Sequence, residues 1–372
     1  MKILQIDTRR YVHVRRFLGL PFRLYAGTPQ WVPPLEPDAK RMLDRRAHPF
    51  YRHSEAAFFL AEGGVRDIGR LAVLDNRHYN EYNHTRTAFF YLFECADDPE
   101  AAHALFEAGF AWARAHGLEE IGGPKGFTAL DGMGLLVRGF EHRPAMGIPY
   151  NLPYYPALIE AAGFLPEGDT RSGYVDRSFR LSEKIALAAR AVQERKGLRV
   201  LRFRTRADLR AFVPRLQAMY NSALEGTTGN VPLTADEART MAEQILWFAN
   251  PRLIKLILKD DELAGFLFAY PDISPALQRT RGRLWPLGWL DLLLEFRRSK
   301  FLNVNGAGIL PKFRGLGATA LLFSEMYASV IEGGFEAADV VQIGLENERM
   351  QNELRSLNIQ FYKTHRMYKK VL

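Results

Sequence analysis

Residues 301–331 read FLNVNGAGILPKFRGLGATALLFSEMYASVI. The apolar first part, residues 301–309, predicts a β-strand, and from Ala318 apolar residues recur at i, i+3 and i+4, which predicts a helix. A short basic turn with two glycines, Gly315 and Gly317, lies between them. The stretch therefore predicts a strand, a glycine-rich turn and a helix that begins directly after the turn.

This turn suits a phosphate group. The first amides of a helix lack intrahelical partners and the helix dipole is positive at that end. Gly315 and Gly317 have no Cβ, so the backbone can approach a pyrophosphate, and Arg314 adds a permanent charge. The sequence has no GxxxxGK[ST] loop, and a GxGxxG dinucleotide motif would need a glycine where Pro311 stands.

The run Arg-Gly-Leu-Gly-Ala at residues 314–318 resembles the coenzyme A loop of the GNAT superfamily of acyl-CoA-dependent N-acyltransferases. The resemblance implies acetyl-CoA, or another acyl-CoA, as the donor and an amine as the acceptor. It implies that the pyrophosphate is held by Arg314, Gly315, Leu316, Gly317 and Ala318. It also implies that backbone groups of Ala307, Gly308 and Ile309 pair with the pantetheine arm.

The segment after the loop resembles the same superfamily, with departures. Residues 338–345 predict a strand, and Asn347 then opens a short helix as in GNAT proteins, so we count Asn347 among the coenzyme contacts. Asn358-Ile359 replaces the Gly-Phe pair of the family. The frequent general-acid tyrosine of the family would fall near Leu354, which cannot donate a proton.

Three residues are therefore candidates for the chemistry. Tyr362 and Tyr368 are the nearest phenols that could protonate the leaving thiolate, with Tyr362 preferred, and Glu346 is the candidate base, directly or through water. Two alternatives stay open: Glu346 is a solvated carboxylate at a strand end, or both tyrosines only pack in the last strands.

The first half of the chain resembles the GNAT order a second time. A strand hairpin, a strand, a helix and a strand are predicted up to residue 122, and a later helix ends at Gly163-Phe164, as in the family. Glu94, Asp97 and Asp98 stand where the coenzyme loop is expected, and their charges would repel a pyrophosphate. We therefore expect no coenzyme in this half.

Together these patterns predict an α/β chain of two GNAT-like mixed-sheet units in tandem. Residues 1–176 form a degenerate first unit, residues 177–197 a connecting helix, and residues 198–372 the acyl-CoA-binding unit. Within the second unit, residues 253–258 and 263–270 predict a β-hairpin.

Composition restricts the remaining possibilities. The formal net charge is +8, but the basic residues are dispersed in pairs, and no zinc-finger, homeodomain or RNP-type pattern accompanies them, so nucleic acid is not favoured. The single cysteine, Cys95, excludes an intrachain disulfide. With no signal peptide and no apolar run of about 20 residues, we expect a cytoplasmic protein. The scattered histidines, without HExxH or CxxC, predict no metal site.

The predicted function is transfer of an acyl group, most simply acetyl, from coenzyme A to a small-molecule or peptide amine. Two alternatives remain: a non-catalytic acyl-CoA-binding or regulatory protein, and a peptidyl-type transferase with an aminoacyl-tRNA donor. Residues 284–296, LWPLGWLDLLLEF, are strongly apolar. They predict either a helix that packs across the junction of the two units, or an interfacial helix for peripheral membrane contact or a lid over a hydrophobic substrate.

Overall fold

The structure, a computed structural model, describes residues 1–128, 131–176, 178–223, 231–356 and 359–372. Arg177, the first residue of the predicted connecting helix, and Asn358 lie outside the described residues. The strands in the described part are β1 Lys2–Gln5, β2 Glu55–Gly63, β3 Arg66–Asp75, β4 Thr87–Cys95, β5 Glu120–Gly123, β6 Leu135–Arg138, β7 Leu165–Val175, β8 Leu198–Leu201, β9 Ile254–Lys259, β10 Glu262–Pro271, β11 Phe301–Ile309, β12 Ala337–Gly344 and β13 Gln360–Val371.

The α-helices in the same residues surround these strands. They are α1 Tyr11–Gly19, α2 Pro21–Leu24, α3 Glu36–Leu43, α4 Arg77–Asn83, α5 Pro99–Ala115, α6 Tyr155–Ala161, α7 Glu183–Lys196, α8 Arg206–Ala223, α9 Ala235–Phe248, α10 Ser274–Thr280, α11 Gly288–Arg298, α12 Ala318–Glu332 and α13 Glu348–Ser356. The connecting helix α7 is part of this set and packs against α12.

All described strands belong to one mixed sheet with the order β1-β2-β3-β4-β5-β13-β7-β12-β11-β10-β9-β8, and β6 pairs with β13. Each half repeats one pattern: antiparallel strands lead to a parallel pair whose connection contains a long helix. The parallel pairs are β4–β5 with α5 and β11–β12 with α12. A parallel pair needs such a crossover, because the chain has to return to the same end of the sheet. The fold is therefore α/β, with two similar halves.

The last strand of the chain joins the two halves. Although β13 belongs to the second half in sequence, it lies between β5 and β7 of the first half, with Tyr368 opposite Gly123. β7 in turn pairs with β12, where Val175 lies opposite Ala338. The predicted boundaries near residues 176 and 198 stay a prediction. The sheet adds that residues 1–176 and 198–372 interlock, because each half borders a strand of the other.

Two large apolar cores lie on the sheet. One surrounds α5 and includes Phe90, Phe106 and the fully buried Tyr368. The other surrounds α12 and includes Leu321 and Leu256. α12 begins where Gly317 adopts a left-handed conformation with φ +89°, so the helix start and the coenzyme loop are one structural feature.

Candidate functional site

The strands β11 and β12 stop pairing with each other part of the way along, and we call the space between them beyond that point the cleft. Their parallel pairing ends at Val304 opposite Val340. Beyond that point β11 continues along β10 to Ile309, whereas β12 continues along β7 through Ile343. Within the described residues the two strands have no further pairing with each other, so the backbone edge of β11 after Val304 faces the cleft.

A β-bulge interrupts β11 where the cleft begins. Two residues, Asn305 and Gly306, lie opposite the single Phe268 of β10, and Gly306 has φ +101°. At a bulge the ladder of hydrogen bonds is locally broken and backbone groups change direction. The bulge therefore offers backbone polar groups to a ligand in the cleft, next to Ala307, Gly308 and Ile309.

The predicted coenzyme loop, residues 311–318, has a geometry that suits a pyrophosphate. Gly315 and Gly317 adopt φ angles of +81° and +89°, and a Cβ at Gly315 would meet no atom within 4 Å. Arg314 is exposed, and its Nε donates a hydrogen bond to the carbonyl of Ile309 at 3.2 Å. The residues present thus fit a coenzyme pyrophosphate: an open turn, a cation and the start of a 15-residue helix.

The connecting helix α7 packs directly against this loop. A Cβ at Gly317 would lie only 2.6 Å from Cγ2 of Val192. Glycine at this position therefore has two causes, the positive φ angle and the close approach of α7. From the sequence, residues 177–197 are predicted only as a connecting helix, because nothing local in them indicates what they cover.

Glu346 and Asn347 lie just beyond the end of β12, and both are exposed. The side-chain oxygen of Asn347 accepts a hydrogen bond from the backbone N–H of Met350 at 3.1 Å. Asn347 therefore caps α13, the usual role of asparagine at a helix start. Leu354, at the position of the usual tyrosine, is completely buried.

Tyr362 is bound to a buried carboxylate. Its O–H donates to Oδ2 of Asp339 at 2.7 Å, and Nζ of Lys363 lies 2.9 Å from the same oxygen. Burial, together with the charge of Asp339, raises the pKa of Tyr362 above its ordinary value. Protonation of a leaving group by Tyr362 would require the phenol to leave this carboxylate.

Tyr368 belongs to the core of the first half. It is completely buried, and its O–H donates to Oε1 of Glu160 at 3.0 Å. In β13 it lies opposite Pro166 of β7, whereas the pairing of β7 with β12 begins only at Thr170. The structure therefore does not bring Tyr368 together with the coenzyme loop, because β13 passes out of the second half before reaching residue 368.

A network of charged side chains lies at the base of the cleft, and all of them except the partly exposed Arg143 are buried. Besides the pair of Lys363 and Asp339, the network contains Asp272, whose Oδ2 is 2.6 Å from Nη2 of Arg143. Nδ2 of Asn303, one strand away, donates to Oδ1 of Asp272 at 3.4 Å. Two carboxylates thus face two cations, which offsets the cost of burying them. We assign this network to holding the two halves together.

A large cavity of about 1930 Å³ extends from the bulge into the first half. Its walls are mostly apolar and come from the N-terminal arm (residues 8–49), β4, residues 146–151, α9 and β10. Asn305, Phe268 and Tyr270 line the cavity at the bulge. The large cavity therefore meets the cleft at the point where the backbone edge of β11 is exposed.

Tyr270 is a candidate that sequence analysis missed. Its phenol oxygen accepts from Nδ2 of Asn305 at 3.1 Å and donates to the carbonyl of Met146 at 3.2 Å. Burial raises the pKa of Tyr270 to about 12, so the phenol stays neutral and keeps its proton. The sequence indicates such a role for Tyr270 only weakly, because Tyr270 lies two residues from Phe268 and therefore on the same face of a predicted strand.

The parallel pair of the first half also diverges, since β4 and β5 pair only from Thr87 to Phe89. Its helix start is arranged differently, however. The carboxylate of Asp98 accepts the N–H of Ala101 at 3.0 Å and so caps α5. The backbone N–H of Ala101, which a phosphate at this helix start would need, is thus already bonded to Asp98.

Glu94 also has a structural role. Its Oε2 accepts from the phenols of Tyr25 and Tyr155 at 2.6 Å and 2.8 Å, and its Oε1 lies 3.6 Å from Arg70. Of the acidic residues singled out in this half, Glu94 and Asp98 are therefore engaged internally, whereas Asp97 is exposed. That this half binds no coenzyme stays a prediction.

Comparison with solved structures shows the fold. The chain is similar to a tandem GNAT protein from the clavulanic acid biosynthesis pathway, with a TM-score of 0.57 and 14% identity, over 100% of this chain and 98% of that chain. It is also similar to a GCN5-related N-acetyltransferase from Sphaerobacter thermophilus, with a TM-score of 0.51 and 14% identity, over 100% and 95% of the two chains. The protein has the GNAT fold, with two units in tandem, as the sequence predicted.

Relatives by sequence extend over nearly the whole chain. A protein named bacterial ceramide synthase, from Caulobacter vibrioides, is 28% identical over 377 residues, 99% of this chain and 97% of its own length. Protein YghO of Escherichia coli is 27% identical over 364 residues, 96% and 92% of the two chains. No protein-family model matches the sequence.

Two searches of the described residues complete the site. No helix there has the length and apolar character that crossing a lipid bilayer requires. The same residues contain no group of three or more histidine, cysteine, aspartate or glutamate side chains placed to hold a metal ion.

Proposed function

We propose that the protein transfers an acyl group from acyl-coenzyme A to the amine of a long-chain, apolar acceptor. The observation that carries this proposal is the large cavity of about 1930 Å³, which reaches the bulge at Asn305. Pockets for ordinary small ligands measure roughly 300–1,000 Å³. A volume of this size favours long apolar chains over an acetyl group and a small amine.

The relative named bacterial ceramide synthase supports the same substrate class. A ceramide is the amide of a fatty acid with a long-chain amino alcohol, and the relative covers 99% of this chain. An acceptor of this kind has an amine at one end of an apolar chain. Its amine would lie at the bulge while its chain occupies the apolar walls of the large cavity.

The donor would bind in the cleft of the second half. Residues 314–318 would hold the pyrophosphate through their amides and the guanidinium of Arg314. The backbone edge of β11 at Ala307, Gly308 and Ile309 would pair with the pantetheine arm, since this edge has no strand partner toward β12 in the described residues. The thioester would then lie near the bulge.

The reaction itself needs one bond to form, one bond to break and two protons to move. The amine nitrogen attacks the thioester carbonyl carbon, the new C–N bond forms, and the C–S bond breaks so that coenzyme A leaves as a thiolate. The nitrogen gives up a proton and the thiolate gains one. Tyr270, neutral and hydrogen-bonded at the bulge, is our candidate to donate a hydrogen bond to the departing group, for which its O–H would turn away from the carbonyl of Met146. Glu346, exposed beyond β12, stays a candidate base only through water.

The test is incubation of the full chain with acetyl-, octanoyl- and palmitoyl-CoA, each combined with ethanolamine or with a long-chain amino alcohol. Thiol release is followed by a colorimetric reagent, and the amide by mass spectrometry. We expect the highest turnover for the combination of a long acyl chain and the long-chain amine. Turnover confined to acetyl-CoA and ethanolamine would contradict the proposed substrate class.

One observation favours a second candidate, a non-catalytic acyl-CoA-binding protein. The position of the usual general acid holds Leu354, which is completely buried and cannot donate a proton. Such a protein would bind palmitoyl-CoA in calorimetry and release no thiol with any amine. The same incubation therefore separates the two candidates.

A further inference from the structure

The helical hairpin formed by α10, α11 and the residues between them exposes an apolar surface. Trp285 is 79% exposed and Leu287 67% exposed. We call this surface the hairpin patch; it comprises Trp285, Leu287, Trp289, Leu290 and Leu293. Soluble proteins rarely expose so many large apolar side chains side by side without a partner.

The hairpin is nevertheless well anchored. Leu292 of α11 is completely buried and packs with Ile273, Ala276 and Leu277. Arg279 binds Asp291 at 2.7 Å and Glu295 at 2.5 Å, which ties α10 to α11. α11 therefore packs inward through Leu292, and the hairpin patch belongs to a folded element.

The charges around the hairpin patch are mostly positive. Residues 274–300 contain six basic and two acidic side chains, and both acidic side chains are bound by Arg279. The exposed basic residues that remain are Arg281, Arg283, Arg297, Arg298 and Lys300. Tryptophans and leucines bordered by arginines form the composition of helices that lie in the interface of anionic membranes.

The hairpin also forms part of the rim of the large cavity. Arg281 and Arg283 line the cavity and are exposed, so they mark its mouth. The N-terminal arm holds the hairpin there, because Nε2 of Gln278 donates to the carbonyl of Trp31 at 2.9 Å. Tyr11, which also lines the cavity, is itself exposed.

We propose that the hairpin patch docks on the surface of an anionic phospholipid bilayer, with the mouth of the large cavity toward the lipid. The apolar side chains would enter the boundary between headgroups and acyl chains, and the bordering arginines would contact lipid phosphates. The docking itself does not depend on the proposed function. Only the purpose of the docking, which is direct delivery of a long-chain substrate from the bilayer, rests on the proposed function.

The experiment is flotation of the full chain with vesicles of phosphatidylcholine alone or mixed with phosphatidylglycerol. We expect binding to the anionic vesicles that weakens as salt increases. The double variant Trp285→Ser/Trp289→Ser should bind at least about tenfold more weakly. The double variant Arg297→Gln/Arg298→Gln should bind anionic vesicles about fivefold more weakly for each arginine removed, and only anionic vesicles should show this loss.

The matched control is Val65→Ser/Leu165→Ser, which removes two exposed apolar side chains elsewhere and should bind like the parent. Absence of binding to anionic vesicles, or unchanged binding of the tryptophan variant, would overturn the docking. A concentration-dependent dimer that the tryptophan variant abolishes would assign the patch to a second copy and also overturn it. Vesicle binding without thiol release supports the docking and contradicts only the proposed function.

Discussion

Gly315 differs from Gly317 in what surrounds it. Both have positive φ, but a Cβ at Gly315 meets nothing, whereas one at Gly317 meets Val192. We therefore expect Gly315→Glu to abolish binding of coenzyme A in calorimetry, since a carboxylate would face the pyrophosphate. Gly64→Glu is the matched control, because Gly64 has φ +78° and equally open surroundings on another turn. Unchanged affinity for coenzyme A in a folded Gly315→Glu variant would show that the coenzyme does not bind at this loop.

Tyr270 can be tested against the two tyrosines that the sequence suggested. We expect Tyr270→Phe to lower turnover by about 100-fold while coenzyme affinity stays the same, because a positioned hydrogen-bond donor is lost. Tyr368→Phe should keep its turnover, since its phenol is bonded to Glu160 in the first-half core. If only the Tyr362→Phe variant lost turnover, the role of proton donor would be assigned to Tyr362 instead of Tyr270.

Single residues could be predicted where their signal is local. Arg314, Gly315 and Gly317 are neighbours in sequence, and glycine next to arginine before a helix has a direct physical meaning. Tyr270 gave no such signal, because its contact with Asn305 depends on a bulge and on the packing of β10. Tyr362 and Tyr368 look alike in sequence but reach different carboxylates.

At the scale of elements, α5 and α12 occupy equivalent places but have different starts. α12 begins at an open glycine turn, whereas Asp98 occupies the start of α5. We expect a calorimetric stoichiometry of one coenzyme per chain. Asp98→Ala should lower the free energy of unfolding by about 1 kcal/mol without creating a second site. Two equivalents of bound coenzyme would show that the first half also binds.

Elements with strong local patterns were predicted well, and those that depend on distant partners were not. The hairpin predicted at residues 253–258 and 263–270 is observed as Ile254–Lys259 and Glu262–Pro271. β7, with the sequence LPEGDTRSGYV, has no alternation of apolar and polar residues. It becomes a strand because β12 and β13 provide hydrogen-bond partners on both sides. Such pairing is visible only in the folded sheet.

At the scale of the whole molecule, the exchange of strands predicts cooperative unfolding. β13 pairs with both β5 and β7, so neither half has a complete sheet alone. We expect one transition in calorimetry and in urea followed by tryptophan fluorescence. A chain of residues 1–176 should not fold by itself. Two well-separated transitions would show that the halves are independent.

The stability of the molecule should fall in mild acid. Burial lowers the pKa of His365 and of His48 to about 4, below the ordinary value of 6.5. The unfolded chain therefore binds more protons between these values, and stability present above pH 6.5 is lost as the pH falls toward 4. Between about pH 7 and pH 5 we expect a loss of about 2 kcal/mol per histidine.

Urea unfolding at the two pH values measures this loss. His365→Gln keeps a donor for the carbonyl of Pro149, which Nε2 of His365 contacts at 3.0 Å. This variant should lose less stability in acid than the parent. An equal loss in parent and variant would show that His365 does not contribute to the acid response.

In the proposed function, the cleft of the second half and the large cavity together join an acyl group to a long-chain amine. The most direct measurement is quantitative mass spectrometry of the amide formed from palmitoyl-CoA and a long-chain amino alcohol, with thiol release recorded in the same sample. We expect one amide for each thiol, with none from Gly315→Glu and normal yield from Gly64→Glu. Thiol release without amide, or bound palmitoyl-CoA without thiol release, would contradict the proposed function.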